Sequence, residues 1–147
     1  MTVLKASRHA QWPLVAEFTF NFDDTMVNSA GNTVDFGKVN LGGAAGAFDV
    51  AALPPGAVVI GGDIVTETAF DTAGYDVTIG DATTANRYLT SSDVKGTGRT
   101  ALVPTGFVST GEALRFTFSS DDVCTAGKMT IRVLYTIRNR SNENQII

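Results

Sequence analysis

The sequence predicts an all-β protein, a jelly-roll-like antiparallel β-sandwich of about eight strands. Three observations carry that reading. Valine, isoleucine and threonine total 41 residues, whereas leucine, glutamate and lysine total 16. The first group is branched at Cβ and suits the pleated strand; the second is the usual stock of helices. Apolar and polar residues alternate with period two in several separate segments, the mark of a strand with one buried face. The 15 glycines are spread between those segments as punctuation.

The elements follow in chain order. Leu14, Ala16, Phe18, Phe20 and Phe22 share one face, with Glu17, Thr19 and Asn21 on the other, so this stretch reads as a strand. Residues 30–32, Ala-Gly-Asn, read as a turn, and Thr33 to Asn40 as the return strand. The segment from Gly42 to Ala52 has room for a short helical turn. Gly56 to Ala69 is a long apolar-rich strand broken by Gly61-Gly62, a pair that marks a bulge or a bend from one sheet to the other. Tyr75, Val77 and Ile79 alternate with Asp76 and Thr78. Arg87 to Thr90 is a short strand. Arg99 to Val108 follows, and Pro104 within it signals an edge or a break. Residues 109–112, Ser-Thr-Gly-Glu, read as a hairpin loop before Leu114, Phe116 and Phe118. Finally Met129, Ile131, Val133, Tyr135 and Ile137 share one face of the clearest strand, which reads as a sheet edge. Phe18, Phe20, Phe116, Phe118, Ile131, Val133 and Tyr135 are the expected core.

The length of 147 residues suits one domain. The divisions expected are an extended arm over 1–13, a sandwich over 14–139 and a polar tail over 140–147. No apolar stretch approaches the roughly 20 residues of a spanning helix. Lys5 and Arg8 are followed by no apolar run, so residues 1–13 do not read as a secretory signal. The single cysteine, Cys124, excludes an intrachain disulfide and a zinc-cysteine site. The single histidine, His9, excludes a histidine-rich metal centre. A net charge of −4 and a pI of about 4.8 argue against nucleic-acid binding.

Candidate chemistry is sparse. Asp23-Asp24 and Asp121-Asp122 are paired acids of the kind glycoside hydrolysis uses, but each follows a strand directly, where aspartate caps turns. Gly42, Gly43 and Gly46 lack the Lys-Ser/Thr of a phosphate loop. Cys124 reads as a small half-buried residue, and His9 as a surface side chain. Charge placement says more. Between Glu17 and Asp93 lie 11 acids and 2 bases, net −9; the remaining segments hold 4 acids and 9 bases, net +5. By parity Arg132, Arg138 and Arg140 fall on the outward face of the last strand, a face suited to an acidic partner or a neighbouring copy.

Residues 53–89, LPPGAVVIGGDIVTETAFDTAGYDVTIGDATTANRYL, carry a resemblance to a known family. The Pro-Gly lead-in, Ala-Val-Val-Ile before Gly-Gly, Thr-Ala-Phe-Asp, a strand ending Ile-Gly-Asp and the closing Asn-Arg-Tyr-Leu resemble tailed-bacteriophage capsid cement, or head decoration, proteins. Gly98-Arg99-Thr100-Ala101-Leu102 fits as well. The resemblance covers about a third of the chain and includes no catalytic signature. It implies a jelly roll that folds in the host cytoplasm and sits on the outer capsid surface, binding the phage major capsid protein. The residue inventory, the acidic charge and the short apolar runs lead to the expectation of no enzyme activity, no cofactor and no metal, nucleic-acid or membrane partner. A homodimer is expected, since isologous pairing is the commonest closed symmetry. Leu4, Trp12, Arg132, Arg138 and Arg140 are the candidate capsid or subunit interface, with Trp12 as the apolar anchor. The outward arginines would meet a neighbour's acids around Asp63 and Glu67. The alternative is a carbohydrate- or receptor-binding module of a virion fibre, with Trp12 and Tyr75 or Tyr88 as stacking residues.

Overall fold

The computed structural model describes residues 3, 7–39, 43–140 and 143–146. Its strands run over Ser7–Ala10 (β1), Leu14–Asn21 (β2), Thr25–Val27 (β3), Thr33–Asp35 (β4), Ala47–Ala51 (β5) and Ala57–Thr68 (β6). They continue over Tyr75–Gly80 (β7), Leu89–Asp93 (β8), Gly98–Ala101 (β9), Leu114–Ser120 (β10), Lys128–Ile137 (β11) and Glu143–Ile146 (β12). One 3₁₀ turn, Gly43–Gly46, precedes β5, as the small-residue run there allows.

Eight of these strands build two four-stranded antiparallel sheets, ordered β2-β11-β6-β9 and β5-β10-β7-β8. Count those eight along the chain. The first lies beside the eighth, then come the third and the sixth; the second lies beside the seventh, then come the fourth and the fifth. That is jelly-roll order, and the protein is an all-β sandwich. The short strands β3 and β4 form a separate hairpin, and β1 pairs with β12.

Period two explains how the sheets close on each other. From β2 and β11 the inward residues are Phe20, Met129, Ile131 and Val133; from β10 they are Leu114, Phe116 and Phe118, and all are buried. Phe36 and Phe48 complete an aromatic centre in which Phe20 stacks on Phe36 at 4.2 Å between ring centres. Burying each such ring contributes about 1.5–3 kcal/mol. Beside it runs a column of near-parallel rings. Phe70 lies 4.1 Å from Tyr75 at 14°, Tyr75 lies 5.1 Å from Phe118 at 8°, and Phe118 lies 6.0 Å from Phe48 at 12°. The Tyr75 hydroxyl, deep in the core, donates to the Phe36 carbonyl at 2.7 Å. Of the expected core only Phe18 and Tyr135 are half-buried, packed against the cluster from its margin.

Other expectations change in instructive ways. The last strand is not an edge: β11 lies between β2 and β6, and β2 and β9 are the edges of that sheet. The Gly61-Gly62 pair does make a bulge, where the register slips between Leu134 and Tyr135. It does not carry the chain to the other sheet, because β6 stays paired with β11 on both sides of the bulge. Gly62 has φ +138°, and a Cβ there would lie 2.3 Å from the Arg132 carbonyl oxygen. Only glycine lets β11 come that close. The return strand expected over Thr33 to Asn40 shortens to β4, pairing with β3, which alternation in three residues could not reveal. Asn40 lies outside the described residues. Residues 109–112 are not a hairpin loop either. β9 belongs to one sheet and β10 to the other, so this segment crosses between them.

Candidate attachment surface

β11 brings most of the sequence-derived candidates onto one sheet, but to different places. Arg132 sits in the middle of the outer face, opposite Glu17 on β2 and Asp63 on β6. Its Nε donates to Asp63 Oδ1 at 3.0 Å and its second guanidinium nitrogen to Oδ2 at 3.1 Å. From β9, Arg99 Nε donates to Asp63 Oδ2 at 2.7 Å. Burial by itself would raise the Asp63 carboxyl. The hydrogen bonds and charges of Arg132 and Arg99 outweigh that cost and hold it below the ordinary carboxylate range. The acid foreseen on a neighbouring copy is therefore bound by Arg132 within the same chain.

A second polar chain runs alongside. Thr130 Oγ1 donates to Glu67 Oε1 at 2.9 Å. A hydroxyl has one proton, so the 3.0 Å bond between Thr19 and Thr130 has Thr19 as donor. Lys128 Nζ lies 3.2 Å from Glu67 Oε2. Thr130 and Lys128 together hold the Glu67 carboxyl below its usual range. These groups line a furrow of about 320 Å³ whose polar atoms already serve one another.

At the end of β11 the surface differs. The Gln11 side chain acts as a strand residue: its Oε1 accepts from the Ile137 backbone N–H at 2.6 Å, and its Nε2 donates to the Ile137 carbonyl at 2.8 Å. The same Nε2 also donates to the Arg140 carbonyl. Asn139 takes φ +63° and turns the chain back, with Arg140 N–H donating to the Ile137 carbonyl at 3.2 Å. Asparagine tolerates that left-handed geometry better than most residues. This clamp sets Trp12 beside the β11 terminus with 78% of its surface exposed. Arg138 and Arg140 are exposed on the turn it grips, and among the described residues neither side chain has an ion-pair partner. On the adjoining outer face, Val15 is 58% and Ile60 46% exposed, flanking the half-buried Leu134. The pole thus joins an exposed indole, two exposed cations and an aliphatic band. Leu4 lies outside the described residues.

The other candidates resolve by burial. Tyr75 and Tyr88 are 0% and 2% exposed and present no ring to a sugar. Cys124 is buried; desolvation, with Asp71, Asp122 and Asp35 nearby, pushes its thiol up to about 11, so at neutral pH it is a protonated core group. Asp24 Oδ2 accepts from Asn21 N–H at 2.7 Å and Asp122 Oδ1 from Val123 N–H at 2.8 Å, so one acid of each pair bonds to the local backbone. His9 lies on β1, and its side chain is outside the description.

Sequence reasoning missed the clamp, because Gln11 and Ile137 are 126 positions apart. It also missed Arg87, which lies 3.5 Å over the Phe107 ring and binds the buried Asp81 at 2.5 Å. A signal for Asp63 was present: an acid inside a long apolar strand needs a counter-charge.

No family model matches the sequence, and no curated protein matches it. Solved structures are similar in fold. A chain of the acidic stable capsid structure of Helicobacter pylori bacteriophage KHP30 superposes with a TM-score of 0.63, is 18% identical, and aligns over 98% of each chain. A chain of the cyanophage Pam1 capsid asymmetric unit gives 0.58 and 18% identity, over 92% of this chain and 94% of that one. Along nearly its whole length, the protein shares its fold with a chain in each of two bacteriophage capsid structures.

Proposed function

We propose that this chain is a non-enzymatic structural protein of a phage virion. It binds the outer capsid surface and cements neighbouring major capsid proteins, acting through the pole that carries Trp12, Arg138 and Arg140. The full-length fold likeness to chains of two phage capsid structures carries the reading. The pole supports it. An exposed indole with an aliphatic margin supplies apolar contact, and two cations with no ion-pair partner among the described residues suit an acidic capsid surface. The mechanism is binding alone: whatever binds only the assembled shell stabilises it by mass action, and many copies make modest single affinities sufficient. Leu4 and Arg132 complete the proposed interface. Self-association into a homodimer belongs to the same proposal, as do folding in the host cytoplasm and the absence of nucleic-acid and membrane partners.

The test is cosedimentation with phage heads assembled without this chain. Wild type should saturate the heads and raise their disruption temperature. Trp12→Ala should weaken attachment by about 2 kcal/mol, the scale of a buried aromatic anchor. Arg138→Glu with Arg140→Glu should weaken it most at low salt, where screening is least. Full occupancy by the triple variant would sink the pole as the attachment site. Heads that never bind the wild type would sink the cement reading itself.

A further inference from the structure

We propose that the ribbon formed by β1 and β12 of one copy adds to the open edge of β2 in a second copy, extending its four-stranded sheet to six strands. This specifies the self-association named above and does not depend on the capsid.

Both halves of the contact are incomplete alone. β1 and β12 form an isolated two-stranded sheet, with the register Ser7↔Ile146 to Ala10↔Glu143. A two-stranded sheet is marginal in water and gains from a third strand. β2 is an eight-residue edge strand. Among the described residues its only strand partner is β11, which leaves one row of N–H and C=O groups from Leu14 to Thr19 open for pairing. A cavity of about 440 Å³ lies against that edge, between Phe18 and Phe20 of β2 and Met26 and Phe36. It explains why Phe18 is only half-buried, and it has room for an apolar side chain from an added strand.

Charge selects the occupant. Asp23 and Asp24 follow the end of β2, and Asp35 on β4 pairs with Thr25 beside them, while Glu17 within β2 faces Arg132 of β11. Among the described residues Asp23, Asp24 and Asp35 make no ion pair. Within the ribbon, β1 carries Arg8 and His9 and follows Lys5, whereas β12 carries Glu143. The cationic strand β1 therefore suits the acidic edge, and β12 stays on the outside. A second β2 is a poorer partner, because antiparallel self-pairing of that strand brings two Glu17 carboxylates near each other. Donor and acceptor are different surfaces, so reciprocal exchange closes a dimer.

Two full-length variants separate the halves. His9→Pro removes a backbone N–H from β1 and blocks the donor. Glu17→Lys with Asp23→Lys reverses charge at two exposed positions and blocks the acceptor. Masses are read by light scattering at 100 μM protein in 50 mM and 500 mM salt, with a thermal melt to confirm that each variant is folded. Wild type should run at twice the 15.5 kDa chain mass at low salt and dissociate at high salt. Each variant alone should be monomeric, and an equimolar mixture should recover a heterodimer held by one of the two contacts, weaker than the wild-type dimer, because one chain supplies the acceptor and the other the donor. A monomeric wild type overturns the proposal. So does a variant that keeps the wild-type mass, or a mixture that stays monomeric.

Discussion

The inner and outer faces of the β2-β11-β6-β9 sheet are made by the same residues taken alternately, yet they are held by different physics. Inward, Phe20, Ile131 and Ile64 are 1%, 1% and 0% exposed and belong to the apolar cluster between the sheets. There, shape and volume decide. Outward, Asp63 is also buried, at 7% exposed, but two arginines bind its carboxylate. There, register decides, because a carboxylate on β6 meets Arg132 only if β11 is aligned to the residue. A slip of β11 by one position would turn Arg132 inward and leave Asp63 on the outer face without it. The outer network is therefore read as a lock on strand order as much as a source of stability.

Three substitutions sharpen that contrast. Phe118→Ala removes a ring that contacts Tyr75, Phe48 and Phe116, and it should cost about 3–5 kcal/mol in urea unfolding. A cost under 1 kcal/mol would mean the inner face collapses around the gap, and shape is not decisive there. Gly62→Ala places a methyl against the Arg132 carbonyl in a backbone conformation foreign to alanine, so it should cost about 2–3 kcal/mol by straining the register itself. Asp63→Asn should cost about 1–3 kcal/mol at pH 7. Because the folded-state carboxyl lies below its ordinary value, its contribution is present above the unfolded value near 3.8 and fades as pH falls through the folded one. The gap between wild type and Asp63→Asn should therefore close below pH 4, while the Phe118→Ala gap stays. Parallel losses at pH 7 and pH 3 would show that the outer face is held by packing after all.

What was legible in the sequence follows the same division. Period two names the buried side of a strand from its own residues, so Phe20, Phe116, Phe118 and Val133 could be placed without knowing any neighbour. Whether a strand is central or at an edge depends on the other strands, so β11, with the clearest alternation, was misplaced at the edge. Arg132 could be seen to point outward, but not that Asp63 would reach it first, since that needs the bulge at Gly61-Gly62 to set the register. At the pole, the exposed cations and Trp12 were visible as residue types. Their convergence needed the Gln11 clamp, a contact between distant parts of the chain that no local pattern encodes.

The single tryptophan stands at the pole, and a tyrosine, Tyr75, stands inside the ring column between Phe70 and Phe118. The molecule thus holds two optical probes in different surroundings. Indole fluorescence reads the solvent at the pole, red-shifted while Trp12 is open and moving to the blue when a surface covers it. Near-ultraviolet circular dichroism at tyrosine wavelengths reads the fixed stacking of the column, and it vanishes only when the sandwich comes apart. Docking and unfolding can therefore be followed in one unlabelled sample, each by a signal to which the other contributes little.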